Sequence, residues 1–559
     1  MDDGSHYDLV VLGSGAAGLT AALAASLAGL RCLVLEHAET VGGTSARSSG
    51  TVWVPASHHL EARGVHGDRA AADAYLASLV GDRGEEAMWR AFLDAAPRML
   101  RDLETRAGFA FRPFMAAPDY RQDHPGAAAG GRALEPPPFD GRLLGDDFAR
   151  LEPPLPELML FGGMMLTRAE AAELLRAGRA PRAAWLGLRL VARYLMDRLR
   201  HRRGTRLVLG NALVARLFSR CRDAGVEVLT VATPHSLVVE DGRVTGVRFA
   251  HDGIERTAHA CRGVVMAGGG YPASWQWREE QLPKPTPDHS PAAPGCDGST
   301  IALALAAGGT LGPSGLDNAF WFPGSVMTRP DGSTAVWPHI VLDRPKPGLI
   351  AVDRTGRRFV NEAVSYHEFV RAMYASGAVP AWLVCDGAFI RRYGLGLIRP
   401  RSPSLRRYVR NGYLKEADSI SGLAARIGVP ADALAATVER WNNAAATGKD
   451  TEFGKGESIY DRAGGDPDVR PNACVGPVAA PPFYAVEIVP TPLGTSRGLC
   501  ADVNARVLDR DGKPVPGLYV CGNDMQSAFG GEYPGAGAQL GQGMTFGWIA
   551  AHHAAGERN

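Results

Sequence analysis

Tyr7-Asp8-Leu9-Val10-Val11-Leu12-Gly13-Ser14-Gly15-Ala16-Ala17-Gly18 runs from an apolar strand into a glycine turn. An alanine- and leucine-rich helix follows to about Ala28, and residues 30–35 read as a second strand with Glu36 at its end. Each residue in this pattern has a physical task. Gly13 permits the tight turn, Gly15 lets backbone approach a pyrophosphate, and Gly18 lets the helix pack closely on the sheet. The free N–H groups at the helix start, around Ala16 and Ala17, face the phosphates. Glu36 accepts bonds from the adenosine ribose hydroxyls. The stretch therefore predicts a dinucleotide-binding βαβ unit, and by itself it does not separate FAD from NAD.

Working outward, 559 residues are too many for one simple core and suit two or more packed domains. Hydrophobic residues at 45% and charged residues at 21% are those of a globular chain. A net charge of +1 and the lack of a long basic block argue against a nucleic-acid groove. The short cluster Arg198, His201, Arg202 and Arg203 reads as a solvated helix end. The 8 cysteines contain no CxxC pair, which argues against zinc, iron–sulfur and dithiol sites and fits a reduced, cytoplasm-like compartment. The uncharged run 9–30 is long enough to span a bilayer. Its glycines and the acidic residues Asp2, Asp3 and Asp8 before it favour a buried strand–turn–helix, so no transmembrane segment is expected.

Further along, residues 67–106 and 168–203 read as largely helical, with a Gly- and Pro-rich excursion at 107–145 between them. Residues 213–224 read as a helix stopped by Gly225, and 226–229 as a short strand. Asp241-Gly242 turns a hairpin between 236–240 and 243–249. Residues 263–270 read as a returning central strand and its glycine turn, with Ala267 and Gly268 at the turn. Residues 518–521 read as another strand, followed by Gly522-Asn523-Asp524. The predicted fold class is α/β, with a Rossmann-like nucleotide domain discontinuous in sequence (1–275 and 480–559) and an inserted α+β substrate-binding domain (276–479), begun by a helix at 299–307.

Gly42-Gly43-Thr44-Ser45-Ala46-Arg47-Ser48-Ser49-Gly50 supplies backbone donors, hydroxyls and close approach. It resembles the loop by which flavoproteins of the fumarate reductase and 3-ketosteroid dehydrogenase superfamily reach the diphosphate and flavin. That resemblance implies FAD, contacted by Gly43, Thr44, Ser45, Ser49 and Gly50. No histidine lies in the loop, where superfamily members with covalent flavin carry one nearby, so noncovalent FAD is expected. Four more stretches extend the likeness: Pro118-Asp119-Tyr120 through Gly131-Arg132-Ala133-Leu134-Glu135, residues 356–366 with Arg358-Phe359-Val360-Asn361-Glu362, residues 490–498, and Gly530-Gly531-Glu532-Tyr533-Pro534-Gly535-Ala536-Gly537. Together they resemble the 3-ketosteroid Δ1-dehydrogenases over most of the chain.

The resemblance implies roles residue by residue. Tyr533 and the Gly537 N–H match the donors to the substrate C3 carbonyl, Tyr366 matches the base, and Tyr120 matches the tyrosine assisting it. Gln539 and Leu540 complete the implied cofactor contacts with Gly522 and Asn523. Two donors at a ketone oxygen stabilise enolate charge and acidify the adjacent C–H bonds. The implied substrate is a small hydrophobic ketone, a steroid in the first instance, with reoxidation by an external acceptor such as a quinone or redox protein. The implied location is cytoplasmic and compatible with membrane association. Three readings remain beside this one. A cyclohexanone or the Δ4 bond of a 5α-3-ketosteroid could be desaturated by the same groups. Fumarate or succinate chemistry would require free cations such as Arg344, Arg357, Arg358 or Arg497, or His339. A flavin-holding module without turnover is the non-enzymatic alternative.

Overall fold

The computed structural model describes residues 5–174 and 181–556. Two sheets organise them. The first has eight strands, with the path Arg506–Leu508, Pro514–Val520, Ile254–Met266, Ser5–Leu12, Cys32–Leu35, Glu227–Leu229. The hairpin Ala232–Glu240 and Arg243–His251 joins it through Ile254–Met266. The four central pairings Ser5–Leu12 with Cys32–Leu35, Ser5–Leu12 with Ile254–Met266, Ile254–Met266 with Pro514–Val520, and Cys32–Leu35 with Glu227–Leu229 are parallel. Parallel strands covered on both faces read as continuous apolar runs, as Leu9, Val10, Val11 and Leu12 do, all fully buried. The helices Ala16–Leu27, Leu209–Asp223 and Ala538–Ala555 pack together against this sheet. The nucleotide-binding unit is thus assembled from both chain ends, as its sequence pattern predicts.

The second sheet has six antiparallel strands in the order Thr334–Pro338, Ala319–Thr328, Phe483–Thr495, Ala381–Asp386, Leu349–Val352, with Leu414–Ala417 on Phe483–Thr495. Its central strand lies beyond residue 479, so the sheets divide the chain differently from the expected boundaries. Phe483–Thr495 holds Ala381–Asp386 with its first half and Ala319–Thr328 with its second. The helix Ser299–Ala306 likewise packs on the first sheet, and its Thr300 hydroxyl donates to Asp524 (2.7 Å), instead of opening the second unit.

Local expectations differ from the structure mainly at boundaries. The helix read at 213–224 begins earlier, at Leu209, because Gly210 can pack its bare Cα against the Ser45 and Ser48 carbonyls. The stretch 168–203 contains Arg168–Leu174 and Pro181–Arg198, while residues 175–180 lie outside the described residues. Arg203 is not solvated as read. It turns inward onto Asn211 (2.7 Å) and over the Phe148 ring.

Candidate active site

Strand register decides where the cofactor edge lies. Leu12 is paired with Leu35 and Met266, and Met266 with Val520. The next residues, Gly13, Glu36, Ala267 and Cys521, therefore leave the sheet along one edge. Gly13 has φ +111°, and a Cβ there would lie 2.3 Å from the Ala267 carbonyl oxygen, so glycine is required for the two turns to touch. Glu36 is held by the Ser14 amide (2.9 Å) and hydroxyl on one oxygen and the Ala38 amide (2.9 Å) on the other. Asp524 joins the remaining turns: its buried carboxylate accepts from the Gly268 amide (2.7 Å), the Gly270 amide (2.8 Å) and Thr300. Burial pushes this carboxyl up, and those donors oppose the shift.

The loop at 42–50 closes on the same edge. Ser45 Oγ accepts from the Ala16 amide (3.0 Å), and Thr44 Oγ1 from the Ala293 amide (2.9 Å). Ser49 Oγ donates to Thr51 Oγ1 (3.1 Å), and Gly43 and Gly50 take positive φ. A Cβ on Gly522 would lie 3.2 Å from the Ala17 methyl, which brings the returning C-terminal strand to the first helix, and Leu540 packs against the main core. The helices beginning after Gly15, Gly42 and Gly537 all lack a side-chain cap. Uncapped helix starts leave amide donors for an anionic ligand, and bare glycines give it room. These residues fit the diphosphate and flavin of FAD.

Beside this edge, three tyrosines from distant parts of the chain meet. Tyr120 OH and Tyr366 OH are 2.7 Å apart. The Tyr533 ring lies 5.3 Å from Tyr120 and 5.5 Å from Tyr366. All three are buried, and burial pushes each phenol above its ordinary range. Gln539 Nε2 donates to Tyr533 OH (3.1 Å), and its Oε1 accepts from Asn523 Nδ2 (3.1 Å). Two residues read only as cofactor contacts thus form a chain from the nucleotide edge to a tyrosine.

Each tyrosine is held by its own element. Tyr366 opens the helix Tyr366–Ser376, whose Ser365 cap accepts from the Glu368 amide (3.2 Å). The Pro534 carbonyl takes both the Tyr120 amide (3.0 Å) and the Tyr75 hydroxyl (2.7 Å), tying the Tyr120 loop to the Tyr533 segment. Gly537 has φ +90° and gives its carbonyl to the Trp53 amide (3.1 Å), and a Cβ there would fall 2.3 Å from the Thr51 carbonyl oxygen. Among the described residues no acceptor takes the Gly537 N–H.

Sequence reading missed the buried brace behind Tyr120. Asp119 accepts from Trp53 Nε1 (2.9 Å), the Ala128 amide (2.9 Å) and Arg132 (2.6 Å), and Arg132 also forks onto Asp68. Asp68 and Trp53 are far from Asp119 in sequence and carry no motif. The packing partners Phe320, His367 and Tyr460 were missed as well, although His367 directly follows Tyr366. Glu532, beside Tyr533, turns away from the cluster to pair with Arg371 (2.8 Å) and Arg83 (3.2 Å).

Of the groups that could grip a dicarboxylate, Arg357 is exposed at the surface and the other four are otherwise engaged. Arg344, fully buried, donates to the carbonyls of His339, Ile340, Glu362 and Val364 and so fixes the turn before Tyr366. Arg358 forks between Glu362 and Asp450. Arg497 binds the Gly312 carbonyl and Gln281, and His339 lies between Asp343 and Ser325.

Comparison with known proteins agrees with this geometry. Residues 8–540 match the family model of the FAD binding domain. The chain is 36% identical to a 3-oxosteroid 1-dehydrogenase of Mycobacterium tuberculosis, covering 98% of each. It is also 36% identical to a 4-oxocyclohexanecarboxylate 2-dehydrogenase of Sinomonas cyclohexanicum, covering 99% of this chain and 93% of that one. The crystal structure of 3-ketosteroid Δ1-dehydrogenase from Sterolibacterium denitrificans, in complex with 1,4-androstadiene-3,17-dione, superimposes with a TM-score of 0.92 at 37% identity. The match covers 99% of this chain and 100% of that one. A chain with this flavin edge, this tyrosine cluster and these full-length relatives belongs to the 3-ketosteroid Δ1-dehydrogenase family of FAD-dependent oxidoreductases.

Proposed function

We propose that the protein desaturates a neutral cyclic ketone, a 3-ketosteroid at its C1–C2 bond, with noncovalently bound FAD. The observation that carries this reading is the buried trio Tyr120, Tyr366 and Tyr533, packed ring against ring beside the nucleotide edge with the Tyr120 and Tyr366 hydroxyls in contact. The Tyr533 hydroxyl and the Gly537 N–H hold the ketone oxygen and stabilise the enolate charge that develops on it. Tyr366 receives the proton from the carbon α to the carbonyl, and Tyr120, 2.7 Å away, passes that proton onward. When bound, FAD supplies the acceptor for the hydride leaving the β carbon, which leaves an α,β-unsaturated ketone.

Burial keeps Tyr366 protonated at neutral pH, so it first gives its own proton through Tyr120 to solvent and then accepts the substrate proton. Phe320, His367 and Tyr460 pack against the trio and hold its rings in place. A neutral ketone is favoured because the nearby guanidinium groups already have partners: Arg121 holds Asp123, Arg132 holds Asp68 and Asp119, and Arg371 holds Asp317 and Glu532. Reoxidation falls to an external quinone or redox protein. Among the described residues no helix is long and apolar enough to cross a membrane, and we place the enzyme in the cytoplasm, in peripheral contact with the bilayer.

The test is anaerobic bleaching of the yellow holoenzyme. A 3-ketosteroid with a C1–C2 single bond bleaches the flavin, and the product gains the C1–C2 double bond. Faster bleaching by 4-oxocyclohexanecarboxylate than by any steroid assigns the site to small ring acids. Bleaching by succinate alone overturns the ketone reading.

A further inference from the structure

His58 and His59 stand side by side on the short helix His58–Glu61, and both reach Glu104 on the helix Glu86–Ala107. His58 Nε2 is 2.8 Å from Glu104 Oε2, and His59 Nε2 is 2.9 Å from Glu104 Oε1. Each imidazole thus faces its own oxygen of one carboxylate, and the two rings pack 4.2 Å apart between centroids. The two nitrogens and a carboxylate oxygen fall within 4.8 Å of one another. The carboxylate is itself fixed, since Oε1 also accepts the Phe111 amide (3.0 Å). The group lies outside the flavin edge and the tyrosine trio. It contains no cysteine, so cysteine spacing does not announce it.

Charge decides what such a group can bind. One carboxylate balances one imidazolium, so two protonated rings here would repel each other. Burial, and then His59 and Arg101, hold His58 below the ordinary imidazole range against the pull of Glu104. The neutral imidazole keeps a lone pair for a metal. Ligand atoms of a tetrahedral zinc ion, each about 2.0–2.1 Å from it, stand about 3.3 Å from one another. The two nitrogen–oxygen contacts need open by only about 0.5 Å to admit one. Two imidazoles and a carboxylate suit a borderline cation such as zinc, whereas magnesium and calcium take all-oxygen shells. The side chains of His58, His59 and Glu104 are 31%, 21% and 12% exposed, which leaves an entry path and room for a water as the fourth ligand.

We infer that His58, His59 and Glu104 form a zinc site that fastens the segment after Trp53 to the helix Glu86–Ala107. That segment carries two anchors of the brace behind Tyr120. Trp53 Nε1 donates to Asp119 (2.9 Å). The Ala56 amide donates to Asp68 (2.7 Å), the carboxylate onto which Arg132 forks. The helix His58–Glu61 lies between Ala56 and Asp68 in the chain, so an ion joining it to Glu104 cross-links the brace to a helix of 22 residues. An ion bound by the folded chain alone stabilises that fold by mass action.

The test uses the holoenzyme, stripped with chelator and gel-filtered, with zinc sulfate as the only added metal. After a second gel filtration, elemental analysis should find one equivalent of zinc retained, and zinc should raise the melting temperature. Magnesium sulfate should do neither. His58→Gln/His59→Gln keeps amide donors toward Glu104 but removes both imidazoles. It should lower zinc affinity by about 100-fold or more, since the loss of an outer-shell partner alone costs about 10–100-fold. Glu104→Gln keeps an acceptor for the Phe111 amide and should lose about tenfold or more. Both variants should keep their flavin absorbance and melt without responding to zinc. Absence of retained zinc in the parent overturns the inference, as does parental retention by either variant. Retention with no change in melting, or an equal response to magnesium, also overturns it. Metal content and melting are read independently of bleaching, so the site can fail while ketone oxidation stands, and the reverse.

Discussion

Replacing Tyr533 by Phe removes one hydroxyl and almost no volume, so it isolates the proposed carbonyl donor. In the free enzyme that hydroxyl accepts from Gln539 Nε2 at 3.1 Å. The ring keeps its packing on Phe320 (5.2 Å between centroids) and His367 (5.8 Å). Gln539 is only partly buried and retains Asn523, so the loss of stability is that of one neutral hydrogen bond, about 1 kcal/mol. In catalysis the lost donor acts on the enolate oxygen, where one preorganised donor is worth about 10²–10³ in rate. The variant should therefore bind FAD, melt close to the parent and reduce its flavin about 10²–10³ more slowly. Single-turnover stopped-flow bleaching separates the chemical step from release. A reduction rate within about threefold of the parent, with full flavin occupancy, would refute the carbonyl assignment, since a donor to developing charge cannot be so cheaply lost.

Three other perturbations follow from the same geometry. Tyr366→Phe should lower flavin reduction by about 10²–10⁴, and in the parent the rate should climb with pH through 7–9 without a plateau, because burial raises this phenol above its ordinary value; a plateau below pH 8 would count against Tyr366 as the base. Gly537→Ala places a methyl 2.3 Å from the Thr51 carbonyl oxygen at φ +90°, so it should cost at least about 1–2 kcal/mol in thermal melting and displace the N–H enough to raise KM for ketones; a variant with parental melting and KM would contradict the close approach. Asp119→Asn removes one buried partner of Arg132 while Asp68 remains, and should destabilise by about 3–5 kcal/mol while slowing turnover through a displaced Tyr120; unchanged melting would show the brace to be dispensable.

Alkaline stability carries a further check on the tyrosine cluster. Tyr120, Tyr366 and Tyr533 have folded pKa values raised above the unfolded value near 10, so their contribution to stability is complete below that value and is lost as pH rises above it. Tyrosinate absorbance and unfolding should therefore appear together above about pH 10. Titration of these phenols with the fold intact at pH 9 would contradict their burial.

The nucleotide edge was legible in the chain because its chemistry is local. Gly13, Gly15 and Gly18 lie within six residues where a strand passes into a helix, and Glu36 ends the next strand. Motif resemblance also pointed to Tyr120, Tyr366 and Tyr533, one at a time and each from its own segment. What tertiary structure decided is their meeting. Tyr120 rides on a loop held by Asp119, Arg132, Asp68 and Trp53, Tyr366 opens a helix anchored through Arg344, and Tyr533 reaches the nucleotide edge through Gln539 and Asn523. Those supports are hydrogen bonds and ion pairs between residues 6 to 66 positions apart, with no periodicity to announce them. The central strand Phe483–Thr495 eluded the domain boundary for the same reason: strand pairing is settled by partners elsewhere in the chain, not by the strand's own residues. A glycine turn carries its reason in its own sequence, whereas a tyrosine acquires its chemistry from the distant groups that bury it and fix its hydroxyl.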